Sequence, residues 1–311
     1  MALVMSRIDE ALKRVTRAPS PSPRRAESAE SRATSFGDSS LDHYPAEHHS
    51  VPWTGEGREG NVEPPAPVRP EPAGRRVQLG PFDPSIAGKL VTGSMRPVSQ
   101  EEYRRLAAVL HQMQAEHKVK TLMVTSALPR EGKTLTVTNL ALTLSEYFGR
   151  RVLLIDGDLR HPSIHEILGL PNTTGLGDGL RSERVQIPFY ELSPTLTVLP
   201  AGPLHASSVG GLASNRMKAV IDGAAPRFDW VLVDTPPIGL LSDAQFLAGL
   251  VDGVLLVIGA AKTPYPLVQR AVAALGPDRL IGIVLNRVEE QTITADAYYR
   301  HYYPSSGAKD G

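Results

Sequence analysis

The sequence predicts an α/β fold in which a mainly parallel sheet carries helices on both faces, preceded by a long disordered N-terminal arm. Three observations predict it. Apolar runs at Thr121 to Thr125, Arg151 to Ile155, Thr195 to Leu199, Trp230 to Val233, Gly253 to Ile258 and Leu280 to Leu285 alternate with helix-compatible segments. Parallel neighbours need such crossover connections, and strands covered on both faces read as continuous apolar runs. The first run passes through the turn Ser126-Ala-Leu-Pro-Arg-Glu-Gly-Lys-Thr134 into a helical pattern. Acidic residues stand just past two later runs, at the carboxyl edge where open α/β sheets bind ligands.

Taken in order, residues 1–17 place Leu3 or Val4, Ile8, Leu12 and Val15 at helical spacing among charges, which predicts a short amphipathic helix. It would serve as a docking or membrane-surface segment, or simply fray. Residues 18–78 shift to Pro, Ser, Glu, Arg and His, as in the SPSPRR stretch, and are expected to form a disordered linker. His43, His48 and His49 are polar filler there, with nothing to hold ligand geometry. Residues 79–290 form the folded domain, with order resuming around Leu79 to Leu90. A helix is expected from Ser99 to Glu116, with Ser99 as N-cap, Glu102 at the capping-box position and Tyr103, Leu106, Val109, Leu110 and Met113 on its apolar face. Residues 291–311 read as a flexible tail.

Composition narrows the function classes. Lys+Arg 33 balance Asp+Glu 33, so no basic field supports a nucleic-acid partner. Cys 0 removes disulfides, thiolate catalysis and cysteine metal sites. No apolar run is long enough to span a bilayer, and Met1 to Arg17 is too charged for a signal peptide, so a soluble cytoplasmic protein is expected.

The turn after the first strand has the composition of a phosphate-binding loop, with Ala127 where the pattern places its first glycine. Pro129, Arg130, Glu131, Gly132, Lys133, Thr134 and Leu135 are the expected nucleotide contacts. Gly132 allows close backbone approach, Lys133 brings positive charge to the β/γ oxygens, and Thr134 offers Mg²⁺ a hydroxyl. The alternative is an ordinary Pro/Gly turn. The second strand ends in Asp156-Gly157-Asp158, two carboxylates able to serve one Mg²⁺ and a nearby hydroxyl, or else a solvated turn. The fourth ends in Asp234, a Walker-B-like metal ligand, with Thr235-Pro236-Pro237 stiffening the exit. Asn286 closes the last strand, where its amide could read an adenine edge or cap a turn. Tyr298, Tyr299, Tyr302 and Tyr303 crowd the tail, either as exposed phosphoacceptors or as one helix face.

Together these motifs resemble the bacterial tyrosine kinases of capsule and exopolysaccharide biosynthesis, of the CpsD/CapB type. The likeness runs from Ser99 to Tyr303 and includes SALPREGKT, VLLIDGDLRHP, GLGDGL, LPAGP, FDWVLVDTPP and the tyrosine cluster. It implies a P-loop NTPase fold and an ATP- and Mg²⁺-dependent autokinase. Lys133 and Thr134 would bind phosphate and metal, Asp156 would activate the tyrosine hydroxyl and touch the metal with support from Asp158, and Asp234 would be the Walker B ligand. It also implies a homo-oligomer whose tail enters a neighbouring site, a cognate tyrosine phosphatase, and recruitment to the inner face of the membrane by a membrane-spanning chain-length regulator. Two positions depart from the pattern. Ala107 replaces the last arginine of the assembly motif begun by Glu101 and Arg104, and Arg130 stands where many members have glycine. A ParA/MinD-like positioning ATPase shares the expected deviant-Walker, MinD-like fold, but has a lysine where this chain has Leu128. A non-catalytic ATP-binding regulator is the other alternative.

Overall fold

The computed structural model describes residues 2–4, 75–77, 84–92, 94–181, 187, 189–204, 210–239 and 242–288. In chain order these form β1 (Ala2–Val4), β2 (Arg75–Arg76), α1 (Pro84–Ala87), α2 (Pro97–His117), β3 (Thr121–Ser126) and α3 (Lys133–Leu142), which runs on as a π-helical turn over Thr143–Tyr147. Next come β4 (Val152–Asp156), α4 (Ile164–Leu168), α5 (Leu176–Arg181), β5 (Tyr190–Ser193), β6 (Leu196–Leu199), α6 (Asn215–Ala224) and β7 (Trp230–Asp234). The chain then continues through α7 (Ser242–Ala248), β8 (Gly253–Gly259), α8 (Tyr265–Leu275) and β9 (Leu280–Asn286).

The strands form one sheet in the order β1-β9-β8-β3-β7-β4-β6-β5-β2. Its centre, from β9 to β6, is parallel throughout, while β5 returns antiparallel to β6. Every residue of β3, β4, β7 and β8 is buried, which is why their middles are continuously apolar, with the polar residues of β3 and the acids of β4 and β7 at the strand ends. Alternate residues sort to opposite faces. Met123, Leu153, Ile155, Val231, Val233 and Leu256 pack with Met217, Leu247 and Ala271 of α6, α7 and α8. Leu122, Leu154, Trp230, Leu232 and Val257 pack with Leu106 and Leu110 of α2 and with Val137 and Leu140 of α3. The predicted helix-covered parallel sheet is therefore the observed one.

Three boundaries differ from expectation. Ala2–Val4 is strand, pairing antiparallel with β9, and not the start of a helix. The open edge of β9 offers unpaired backbone groups, and a short apolar segment satisfies them better as strand than as an isolated helical turn. Helix α2 begins at Pro97 behind Arg96, with no side-chain cap, so Ser99 is an interior residue. Proline suits the first helical position, and Glu102 pairs at 3.3 Å with Arg105 one turn on. The linker expected to reach residue 78 gives way earlier, because β2 pairs in parallel with β5. The remainder of the N-terminal segment, the arm with its histidines, and the tail tyrosines lie outside the described residues. Among the described residues no helix is long and apolar enough to cross a membrane.

Candidate active site

The phosphate loop joins the carboxyl end of β3 to α3. Gly132, at φ 95°, is the residue before α3, and a Cβ there would overlap the Asn286 amide. Both its conformation and its space therefore demand glycine. Arg130 also has positive φ, 63°, in the left-handed region that a side chain disfavours. Glycine would adopt this backbone without strain, which gives the departure from the resembled pattern a conformational consequence. Pro129 and Arg130 are exposed, and the half-buried Leu135 side chain packs against the core.

Glu131, expected among the nucleotide contacts, turns its carboxylate inward and is 5% exposed. One oxygen accepts the Leu128 N–H at 2.6 Å, and the other accepts the Gly259 N–H at 2.9 Å together with the Thr263 hydroxyl. Asn286 likewise has partners within the chain. Its Nδ2 donates to the Glu131 carbonyl at 2.8 Å and its Oδ1 accepts the Arg287 N–H at 2.9 Å. The first of these bonds braces the loop and the second caps the strand end, the local role that the sequence offered as the alternative to an adenine contact. A strand-end amide beside a backbone that bends this tightly finds local partners first.

The acidic residues converge on Lys133. Strands β4 and β7 are parallel neighbours in a register that sets Asp156 beside Asp234. Gly157 closes the approach: its N–H donates to the Asp234 carbonyl at 2.9 Å, and a Cβ would lie 2.7 Å from that oxygen. The Lys133 Nζ donates to Asp158 Oδ2 at 2.8 Å and lies 3.8 Å from Asp234 Oδ1 and 3.3 Å from the Thr134 hydroxyl. Asp158 also accepts the His161 N–H at 3.2 Å. Asp156 is the distant cap of α4, its Oδ2 accepting the N–H groups of Ser163 and Ile164, both at 3.1 Å. That leaves Oδ1, which accepts a longer bond, 3.3 Å, from the Asp158 N–H. The exits of β3 and β7 are pinned together as well, Thr125 Oγ1 donating to the Pro236 carbonyl and Thr235 Oγ1 to that of Val124.

The electrostatics follow from this crowding. Burial, reinforced by the Asp234 charge, pushes the Asp156 carboxyl up to about 8. Burial raises Asp234 to about 6, the Lys133 ammonium opposing the shift. Burial alone would lower Lys133, but Asp234, Asp158 and Asp156 outweigh it and raise its pKa.

A divalent cation fits one feature of this arrangement. Asp234 is fully buried, and neither carboxylate oxygen has a partner at full hydrogen-bond distance, although Lys133 Nζ at 3.8 Å, the Thr134 hydroxyl and the Thr235 N–H lie around it. Buried charged oxygens are ordinarily satisfied, so a pair of bare ones marks a place for a ligand that the chain itself does not supply. No group of three or more His, Asp or Glu side chains forms a metal cage among the described residues. Mg²⁺ takes one or two carboxylates and fills its remaining positions with phosphate and water oxygens, so the Asp234 carboxylate is a donor it could use.

Similarity to known proteins agrees with the geometry. The model of the CobQ/CobB/MinD/ParA nucleotide binding domain matches residues 122–303. The tyrosine-protein kinase YwqD of Bacillus subtilis is 34% identical over 208 residues, covering 66% of this chain and 87% of that protein. The chain belongs to the bacterial tyrosine-protein kinase family. CapB of Staphylococcus aureus, named as a putative tyrosine-protein kinase, is 31% identical over 215 residues, 65% of this chain and 89% of that one. Among solved structures, the kinase domain of the Escherichia coli tyrosine kinase ETK superposes with a TM-score of 0.56 at 27% identity, covering 61% of this kinase and 77% of that chain. The chimerical protein CapA2B2 gives 0.58 at 26% identity over 70% and 95% of the two chains.

The kinase thus keeps Lys133, Thr134, Asp156, Asp158 and Asp234 together, while Glu131 and Asn286 support the loop from behind. Gly157 escaped the sequence reading, although its place between two acidic residues at a strand end was the available signal. The Arg160 to Asp243 pair at 2.9 Å, which ties the end of the acidic turn to α7, had no such signal.

Proposed function

We propose that this kinase transfers the γ-phosphate of ATP to its own tail tyrosines, Tyr298, Tyr299, Tyr302 and Tyr303. The observation that carries the reading is the bare, buried Asp234 carboxylate beside Lys133, at the foot of a phosphate loop. Loop N–H groups and Lys133 would bind the β- and γ-phosphates, with Lys133 exchanging acid partners for phosphate oxygens. Thr134 and Asp234 would hold Mg²⁺, with Asp156 close by; the ion would neutralise charge on the transferring phosphoryl group. In the transfer the phenol oxygen forms a bond to the γ-phosphorus as the bond to the ADP oxygen breaks, and the phenol proton passes to a carboxylate. Asp156 is the proposed acceptor, with Asp158 orienting Lys133, because its Oδ1 keeps only a long bond and a bound cation beside it would favour the ionised form that takes a proton.

The setting is proposed as the cytoplasmic face of the membrane, in capsule or exopolysaccharide export. There the kinase would meet the cytoplasmic end of a membrane-spanning chain-length regulator, and a tyrosine phosphatase would reverse its action. Support comes from the succinoglycan biosynthesis transport protein ExoP of Rhizobium meliloti, 30% identical over 229 residues that make up 29% of its length. A related domain therefore occurs inside a much longer transport protein. The ParA/MinD-like alternative has no support at Leu128, which stands where the bridging lysine would be.

Incubation with Mg-ATP followed by mass-spectrometric mapping tests the reading. Phosphate is expected on the tail tyrosines in the wild type and absent from Lys133→Met. Unlabelled tail tyrosines would contradict autophosphorylation, and equal labelling of the variant would reveal a contaminating kinase.

A further inference from the structure

We infer that Glu131 is a positioning residue, whose buried carboxylate holds the phosphate loop in its binding geometry before nucleotide arrives. A carboxylate inside a phosphate loop is at first sight unfavourable, since it would repel the ligand. Here the charge is directed inward and is fully used. Its Oε2 accepts the Leu128 N–H at 2.6 Å, so residues 128–131 are closed into a turn by a bond from residue i to the side chain of i+3. The capping box of a helix start uses the same closure. The turn encloses Arg130 at φ 63°, a conformation a side chain leaves readily unless something holds it.

The other oxygen carries the loop's position to the neighbouring strands. Oε1 accepts from the Gly259 N–H and the Thr263 hydroxyl, which flank the loop after β8, and the Glu131 carbonyl accepts Asn286 Nδ2 at the end of β9. One residue therefore ties three strand ends, those of β3, β8 and β9, into a single frame. The loop N–H groups that would meet phosphate are fixed by bonds on the far side from the ligand. Such preorganisation removes ordering that binding would otherwise require, and so acts on nucleotide affinity more than on the chemical step.

The inference rests on the proposed nucleotide site and is tested with ADP binding by calorimetry beside the KM and kcat for ATP. Both Glu131 oxygens face donors, so Glu131→Gln must place an NH₂ group against an N–H. It is expected to weaken ADP binding and raise KM by about tenfold, the effect of losing a hydrogen bond to a charged group, with kcat altered much less. Thr263→Val, which removes one donor at a half-buried position, should shift both quantities the same way by a smaller factor. Thr263→Ser, which restores the hydroxyl, should return them to wild-type values. If Glu131→Gln does not fold, the Thr263 pair decides. Wild-type ADP affinity and KM in Glu131→Gln and Thr263→Val overturn the inference alone, as does a fall in kcat at unchanged KM. A wild-type chain that binds no ADP overturns the nucleotide site itself, and the inference with it.

Discussion

Arg130 shows how one residue can carry a conflict between backbone and side chain. The loop requires a left-handed residue there, at φ 63°, and the chain supplies an arginine. For a residue with a Cβ, that conformation costs roughly 1–2 kcal/mol. Glycine relieves the strain but gains freedom in the unfolded chain, a loss of stability of about 0.4–1 kcal/mol. Arg130→Gly is therefore expected to stabilise the nucleotide-free kinase by roughly 0.5–1 kcal/mol, while the β-branched Arg130→Val should destabilise it. Chemical denaturation of the three proteins measures both. A Gly variant less stable than the wild type would mean that the guanidinium makes contacts worth more than the strain. From sequence, residue 130 stood out only as a departure from glycine. The dihedral angle gives the reason, and no residue pattern in a single chain reports a dihedral directly.

At the scale of elements, β4 and β7 are what make the site, because their parallel register sets two buried carboxyls side by side. Both are held above the ordinary aspartate value of 3.8, Asp156 to about 8 and Asp234 to about 6. Between these values and 3.8 the folded state binds protons that the unfolded state has released. Stability of the nucleotide-free kinase should therefore fall as pH rises from about 4 toward 8. The raised Lys133 acts outside that window, its contribution being complete below 10.5 and lost above it. Urea denaturation at pH 5, 7 and 8.5 tests the slope, and Asp156→Asn should flatten it. Stability that rises with pH through the window would contradict the arrangement. The strands themselves were legible in the sequence, because full burial writes a continuous apolar run, such as VLLI before Asp156 or WVLV before Asp234. The acidic ends were legible because they follow such runs. Hidden from it were the contacts between elements: Asp156 capping α4 from a distance, Asn286 bracing Glu131, and β5 folding back on β6 with only a four-residue polar-mixed strand to announce it.

For the whole molecule the open matter is assembly, and α2 bears on it. Glu101 pairs with Arg104 at 3.4 Å and Glu102 with Arg105 at 3.3 Å, and the Arg104 guanidinium lies 4.7 Å from the centre of the Tyr147 ring. These contacts are made within one chain. Ala107, at the place of the third motif residue, has 0% exposure and packs with Leu106 and Leu110 against the sheet. An arginine at 107 could not present its charge without opening that packing, so the missing residue is not a surface change that one substitution restores. We expect the nucleotide-free kinase to behave as a monomer or a weak, concentration-dependent associate in light scattering. Ala107→Arg should create no larger species and should instead lower stability by several kcal/mol, since it forces an unpaired charge and excess volume into a packed core. A stable octamer of the wild type would show that Arg104, Arg105 and their neighbours suffice for the interface. An octamer gained by Ala107→Arg with unchanged stability would show that α2 can rotate to expose position 107, contrary to the packing described here.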